Sequence, residues 1–262
     1  MSIDIPLISP VSRKYYDYAN EKNSRKHHRA EDVRICLEYI CDEIIVEFVS
    51  ETDKKKWGKY NLHRKLEASR SFLDKDIVDK LIDAKIIGNK GVHTGEEGSY
   101  SEADIDKSID SIKEFSLNVF LSYFKVNGFG KQGQSWIPTV FSTLPPIYRV
   151  HILKEYYKYD PSTFVIDKLS KAYLKSGSEE KAINFLQECY DKKEITDFER
   201  AVYLQDIILL KQSFHMLSIA KDLESAKQNF NNVLLAIEEE KRDSFVCLVS
   251  MILNGYHPQK MT

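Results

Sequence analysis

Between His28 and Val49 the apolar residues Val33, Leu37, Ile40, Cys41, Ile44 and Phe48 return at steps of mostly three and four, a period that predicts a helix with one buried face. A lysine-rich connection, Asp53 to Tyr60, leads to a shorter helix through Leu62, Leu66 and Phe72. Leu73-Asp74-Lys75-Asp76 opens another, in which Ile77, Leu81, Ala84 and Ile87 keep the same spacing. Glycine and acidic residues make Thr94 to Tyr100 a loop. Ser101 then stands three residues before Asp104, a pairing that satisfies free amides at a helix start, and Ile105, Ile109, Ile112, Val119 and Phe120 carry that helix towards Val126. Four helices with short connections predict an antiparallel bundle over residues 28–126. Residues 1–27, with two prolines and the Tyr15-Tyr16-Asp17-Tyr18 cluster, read as an arm with a short helix laid over the main body.

The period is lost over residues 127–146, where Gly128, Gly130, Gly133, Pro138, Pro145 and Pro146 break it and mark a domain junction. Trp136 and Phe141 inside that stretch predict that it packs onto a domain rather than dangling. A second, carboxyl-terminal domain of residues 147–262 follows. In it Leu169, Tyr173, Gly177, Ala182, Leu186 and Cys189 are spaced by four, four, five, four and three, and Ala226, Phe230 and Val233 repeat the end of the pattern 44 residues later. Over about residues 147–256 this resembles a divergent tetratricopeptide repeat, built of α-α hairpins with a glycine at the tight turn and small residues where helices touch. The period is longer than the usual one of about 34, and Glu194 stands where a proline ends the repeat. Generic pairing of helices accounts for the pattern equally well.

Composition adds limits. With 262 residues the chain can build one large core or two smaller ones. Its 38 Lys+Arg and 40 Asp+Glu divide as 21 against 23 through Asn127 and 17 against 17 beyond it, so neither half carries a basic field able to hold duplex DNA by counterion release. Cys36, Cys41, Cys189 and Cys247 form no CxxC pair, which fits reduced thiols and a cytoplasmic protein. No stretch approaches the apolar length of a membrane span, and no charged leader precedes an apolar block, so neither membrane insertion nor export is expected.

Chemistry gathers in one place, the end of the third bundle helix, where Lys85-x2-Gly88-Asn89-x3-His93 precedes a loop and a capped helix. A neutral imidazole can take a proton from a ribose 2′-hydroxyl while a cation beside it stabilises the charge that develops on phosphorus. With Arg34 and Leu37-Glu38 on the first bundle helix, this segment resembles the HEPN superfamily, in particular a bacterial branch of unknown function with a Leu-Arg-x2-Gly-Asn-x3-His signature, over about residues 28–126. The resemblance implies an HEPN-like four-helix bundle and, in ribonuclease members, a metal-independent site at a homodimer interface. His93 matches the family's histidine and Asn89 its polar residue, whereas Gly88 occupies the arginine position and Lys85 becomes the substitute cation. Two other readings stand beside catalysis: binding without turnover, and a purely structural role in which Asn89 and His93 close a helix end.

Other features carry less. Arg34 and Glu38, at i and i+4, read as an ion pair. Arg25-Lys26-His27-His28-Arg29 reads as a solvated run at a helix entrance, and Lys54-Lys55-Lys56 as a lysine loop pinned by a buried Trp57 beside Tyr60. The GFGKQG string from Gly128 to Gly133 lacks the preceding strand and the following Ser or Thr of a phosphate loop. No metal is expected, since His27 and His28 are adjacent and His63, His151, His215 and His257 stand alone, and no cofactor motif occurs. The expectation is an all-α chain, an HEPN-like bundle followed by a helical-repeat-like domain. It would act as a noncatalytic or regulatory module in a prokaryotic antiviral-defence or toxin-type system, holding a protein partner on its carboxyl domain, with RNA or a nucleotide as a further ligand. The alternative is a metal-independent endoribonuclease.

Overall fold

In a computed structural model that describes residues 3–92, 99–130 and 136–256, every regular element among the described residues is helical, as the periodicity predicts. The chain divides into two compact units, one made of Asp4–Ser122 with Glu239–Thr262 and the other of Met1–Ile3 with Tyr123–Glu238. The first, here the bundle unit, holds α1 (Pro10–Asn20), α2 (Lys26–Tyr39), α3 (Glu51–Trp57), α4 (Leu62–Ser69), α5 (Lys75–Val92) and α6 (Glu102–Asn127) as far as Ser122. The second, the hairpin unit, holds the end of α6, then α7 (Trp136–Phe141), α8 (Pro146–Tyr157), α9 (Thr163–Lys175), α10 (Glu179–Asp191), α11 (Asp197–Gln212) and α12 (Leu223–Leu235). The chain then returns to the bundle unit as α13 (Ser244–Asn254).

The bundle unit is therefore larger than the four helices expected. Within residues 3–27, Leu7 and Ile8 are fully buried, and α1, capped by the Ser9 hydroxyl on the Ser12 amide at 3.1 Å, packs against α2 and α13. The long helix expected over 28–49 is a continuous helical run with three windings, α-helical to Tyr39, a π turn over Ile40–Ile44 and a 3-10 turn over Ile45–Phe48. Ile40, Cys41, Ile44 and Ile45 are all fully buried there, and the changed winding serves a wider apolar contact that includes α13. The lysine-rich connection is helical as α3, while Trp57 is the pin that was expected: it is buried, and its indole N–H donates to the Cys41 carbonyl at 3.2 Å.

The basic run at the entrance of α2 is solvated at Arg25 and His28 but not at its end. Arg29 is 1% exposed, donating from Nε to the Ala19 carbonyl at 2.7 Å and from its terminal nitrogens to Asp106, at 2.8 Å, and Glu102. It clasps the end of α1 and the start of α6 to α2. At the head of α6 the expected reciprocal cap is present, with the Asp104 amide donating to Ser101 Oγ at 3.2 Å and the Ser101 amide to Asp104 Oδ2 at 2.8 Å.

In the hairpin unit α8, α9, α10 and α11 pack in succession. The turn between α9 and α10 falls on Gly177, whose φ of +82° is the left-handed conformation that glycine adopts without a Cβ penalty. Leu169, Ala182, Leu186 and Cys189 line the buried seam of that pair, so the spacing read from the sequence marks a helix-turn-helix. Among the described residues of the Gly/Pro-rich junction, Phe129, Ile137, Val140, Phe141 and Leu144 are buried, and the Phe129 ring lies 4.7 Å from that of Phe124.

Candidate functional site

Helix α5 buries a stripe of Ile77, Leu81, Ala84 and Gly88, one residue every turn, and this stripe faces α2. At its end the two backbones nearly touch. A Cβ added to Gly88 would lie 2.7 Å from the Arg34 Cβ and 3.0 Å from its amide nitrogen, and one added to Gly91 would lie 2.7 Å from both the Ala30 Cβ and the His27 carbonyl. Gly88 is thus where helices cross at backbone distance, and the position has no room for a side chain.

That close crossing sets Arg34 beside the next face of α5, which carries Lys85 and Asn89 at i and i+4. Together with residues from α4 and its approach they line a cleft of about 530 Å³. Arg34 and Glu38 come from α2, Asp42 from the π turn, Tyr60 and Asn61 from the segment before α4, and His63 and Lys65 from α4 itself. Asn61 also caps α4, its side-chain oxygen accepting from the Arg64 amide at 2.9 Å, and this fixes where His63 and Lys65 leave the backbone.

The charges in the cleft are largely committed. Arg34 Nε donates to Glu38 Oε1 at 3.1 Å, the pair expected from their spacing, and Lys65, although buried, is held by Asp42. Lys85 makes no hydrogen bond or ion pair with a described residue, and His63 is exposed. Three cations, Arg34, Lys65 and Lys85, stand against two carboxylates, Glu38 and Asp42, so the cleft is close to neutral and only Lys85 offers an uncommitted positive charge. Such a surface can hold one phosphate or carboxylate through Lys85 and the Asn89 amide.

Of the residues singled out from the sequence, Lys85 and Asn89 share this cleft, and His93 lies outside the described residues. Tyr60, His63, Lys65 and Asp42 were not foreseen there. Their signal was faint but present: Arg34, Glu38 and Asp42 form an i, i+4, i+8 polar stripe along an otherwise apolar run, and His63 follows a helix-capping Asn. Elsewhere among the described residues the four cysteines are free and buried.

Fold and site together define the class: an all-α protein of two helical units, one of which carries a polar, nearly neutral cleft. No protein-family model, no curated protein and no solved structure matches the chain.

Proposed function

We propose that the chain is a noncatalytic interaction module, HEPN-like in its bundle unit, that holds a protein partner on α11. The observation that carries this reading is the state of α11. Nine of its 16 residues are apolar, yet Ile207 is its one buried residue, while Phe198 is 77% exposed, Leu209 51%, Ile208 50% and Val202 40%. With about 100° of rotation per residue, Phe198, Val202 and Leu209 fall within about 40° of one another. Aromatic and aliphatic side chains aligned on an exposed helix face mark a protein interface, and helical-hairpin units use such faces to bind.

The cleft supports the noncatalytic half of the reading. Arg34 and Lys65 are already neutralised by carboxylates, and the backbone crossing at Gly88 bars an arginine from the position that carries it in ribonuclease members of the family. The placement in a prokaryotic defence or toxin-type system rests on the HEPN resemblance.

The test is a Phe198→Asp/Leu209→Asp variant. Recovered from its native cells in high salt, which screens ionic but not apolar contacts, the wild-type protein is expected in a stable complex and the variant alone, with the same melting temperature. Wild-type protein that is strictly monomeric, with nothing co-purifying, sinks the proposal. One observation favours the ribonuclease alternative: Lys85, Asn89, Arg34 and His63 line one cleft. Single-stranded RNA cleaved in chelator, and lost in both His63→Ala and His93→Ala, would decide for it.

A further inference from the structure

Two positive side chains of the hairpin unit, one buried and one half-buried, have no counter-charge among the described residues. Arg149, on α8, is 7% exposed, its Nε has no hydrogen-bond partner, and no carboxylate pairs with it among the described residues. Arg149 lines a cavity of about 250 Å³ together with Lys168, Lys171 and Lys175 of α9, which stand at i, i+3 and i+7 and so share one helix face. Lys171 is neutralised by Asp167 and Asp206, at 2.6 and 2.7 Å, and Lys168 lies 3.1 Å from Asp167. Arg149 and Lys175 are left over, and no acidic side chain lines the cavity.

Natural proteins pair buried charges or neutralise them, because desolvation otherwise opposes folding. The strain shows in both groups: burial holds the Arg149 guanidinium down at about 10, and burial followed by the nearby Arg149, Lys168 and Lys171 holds Lys175 at about 8. Phe129, Phe141 and Leu153 also line the cavity and give it an apolar wall.

We infer that this cavity is a binding site for a small phosphate monoester, whose dianionic phosphoryl group is the missing counter-charge of Arg149 and Lys175. A guanidinium fork matches two phosphoryl oxygens, and an ammonium adds a point charge to a third. The two charges left uncompensated match a dianion. The volume lies just under the range of about 300–1,000 Å³ typical of small-molecule sites, which suits a phosphoryl group with a compact organic part set against the phenylalanines. The site lies within the hairpin unit and is independent of the partner face on α11.

Calorimetry and thermal melts of the full chain test this with inorganic phosphate, phenyl phosphate and sodium chloride at matched ionic strength. Both phosphates are expected to bind saturably and raise the melting temperature, with phenyl phosphate tighter because its ring meets the apolar wall; tighter inorganic phosphate would make the free ion the ligand and overturn the monoester assignment. Arg149→Met is expected to weaken binding by at least about tenfold. In chloride it should melt no lower than wild type, since it removes an uncompensated charge. Lys175→Gln, at the half-buried cation, reads the same site without emptying the core and should weaken phosphate binding several-fold. Equal stabilisation by chloride and phosphate, or phosphate binding that both variants leave unchanged, overturns the inference.

Discussion

Gly88 shows how much a single residue gains in meaning once its neighbours in space are known. As a string, Gly88-Asn89-x3-His93 only resembles a family motif; in space, Gly88 is the point where α5 and α2 meet at backbone distance. Gly88→Ala must part the helices by a few tenths of an ångström or more, because the atoms it meets are a Cβ, a Cα and an amide nitrogen rather than a mobile side-chain tip. The expected cost is about 1–3 kcal/mol, read as a lowered urea midpoint at unchanged slope. An unaffected midpoint would show that the crossing is looser than described. Asp32 supplies a second residue-scale expectation. Burial first, then Glu31, raises its carboxyl to about 6, with His28 opposing and Glu21 adding slightly. The folded state therefore binds the proton more tightly than the unfolded one, and this contribution to stability is full below about pH 4 and lost as pH rises through 6. Asp32→Asn should gain on wild type in melting temperature across that interval and keep the advantage at pH 7. A constant difference at all pH values would reject this account.

Among the elements, legibility followed burial geometry. The helices over 62–69, 75–92 and 102–127 could be read because each buries one stripe at a period of 3.6, the helical run over 28–49 because its apolar residues recur closely enough to survive two changes of winding, and the cap of α6 because Ser101 and Asp104 are neighbours in sequence. The helix-turn-helix around Gly177 was visible for the same reason: a left-handed glycine between two apolar periods is a local signal. What could not be read depends on partners distant in the chain. Arg29 looked like part of a solvated basic run because Ala19, Glu102 and Asp106, which bury and satisfy it, give no sign of proximity in the string. The cleft was half legible. Lys85 and Asn89 share a helix face and could be paired by spacing, whereas His63, Lys65 and Tyr60 join them only through the packing of α4 against α5. The uncovered face of α11 was invisible for a related reason, since an apolar period announces burial whether the covering surface belongs to the same chain or to another.

At the scale of the whole molecule, units and sequence order part company. The expected division at 126/127 lies four residues beyond the boundary at Ser122 and Tyr123, within a single helix, and the final helix belongs with the first unit rather than the second. From Phe245 to Leu253 every residue of α13 is at most 5% exposed, so α13 is an interior element of the bundle unit and not a tail. A chain ending at Glu238 should retain protected amides in α8 to α11 and lose them in α1 and α2, as measured by hydrogen exchange. Native-like protection of α1 and α2 in that shortened chain would argue against α13 as part of the core. The same topology sets a schedule for biosynthesis. The helix that seals the bundle unit, α13, is made well after α1 to α6, with the whole of α7 to α12 in between, so at roughly 5–20 residues per second the nascent chain carries an open apolar seat for on the order of ten seconds. During that interval the growing polypeptide is a natural client for a chaperone, and a translational stall before α13 leaves a product that quality control would recognise as unfinished.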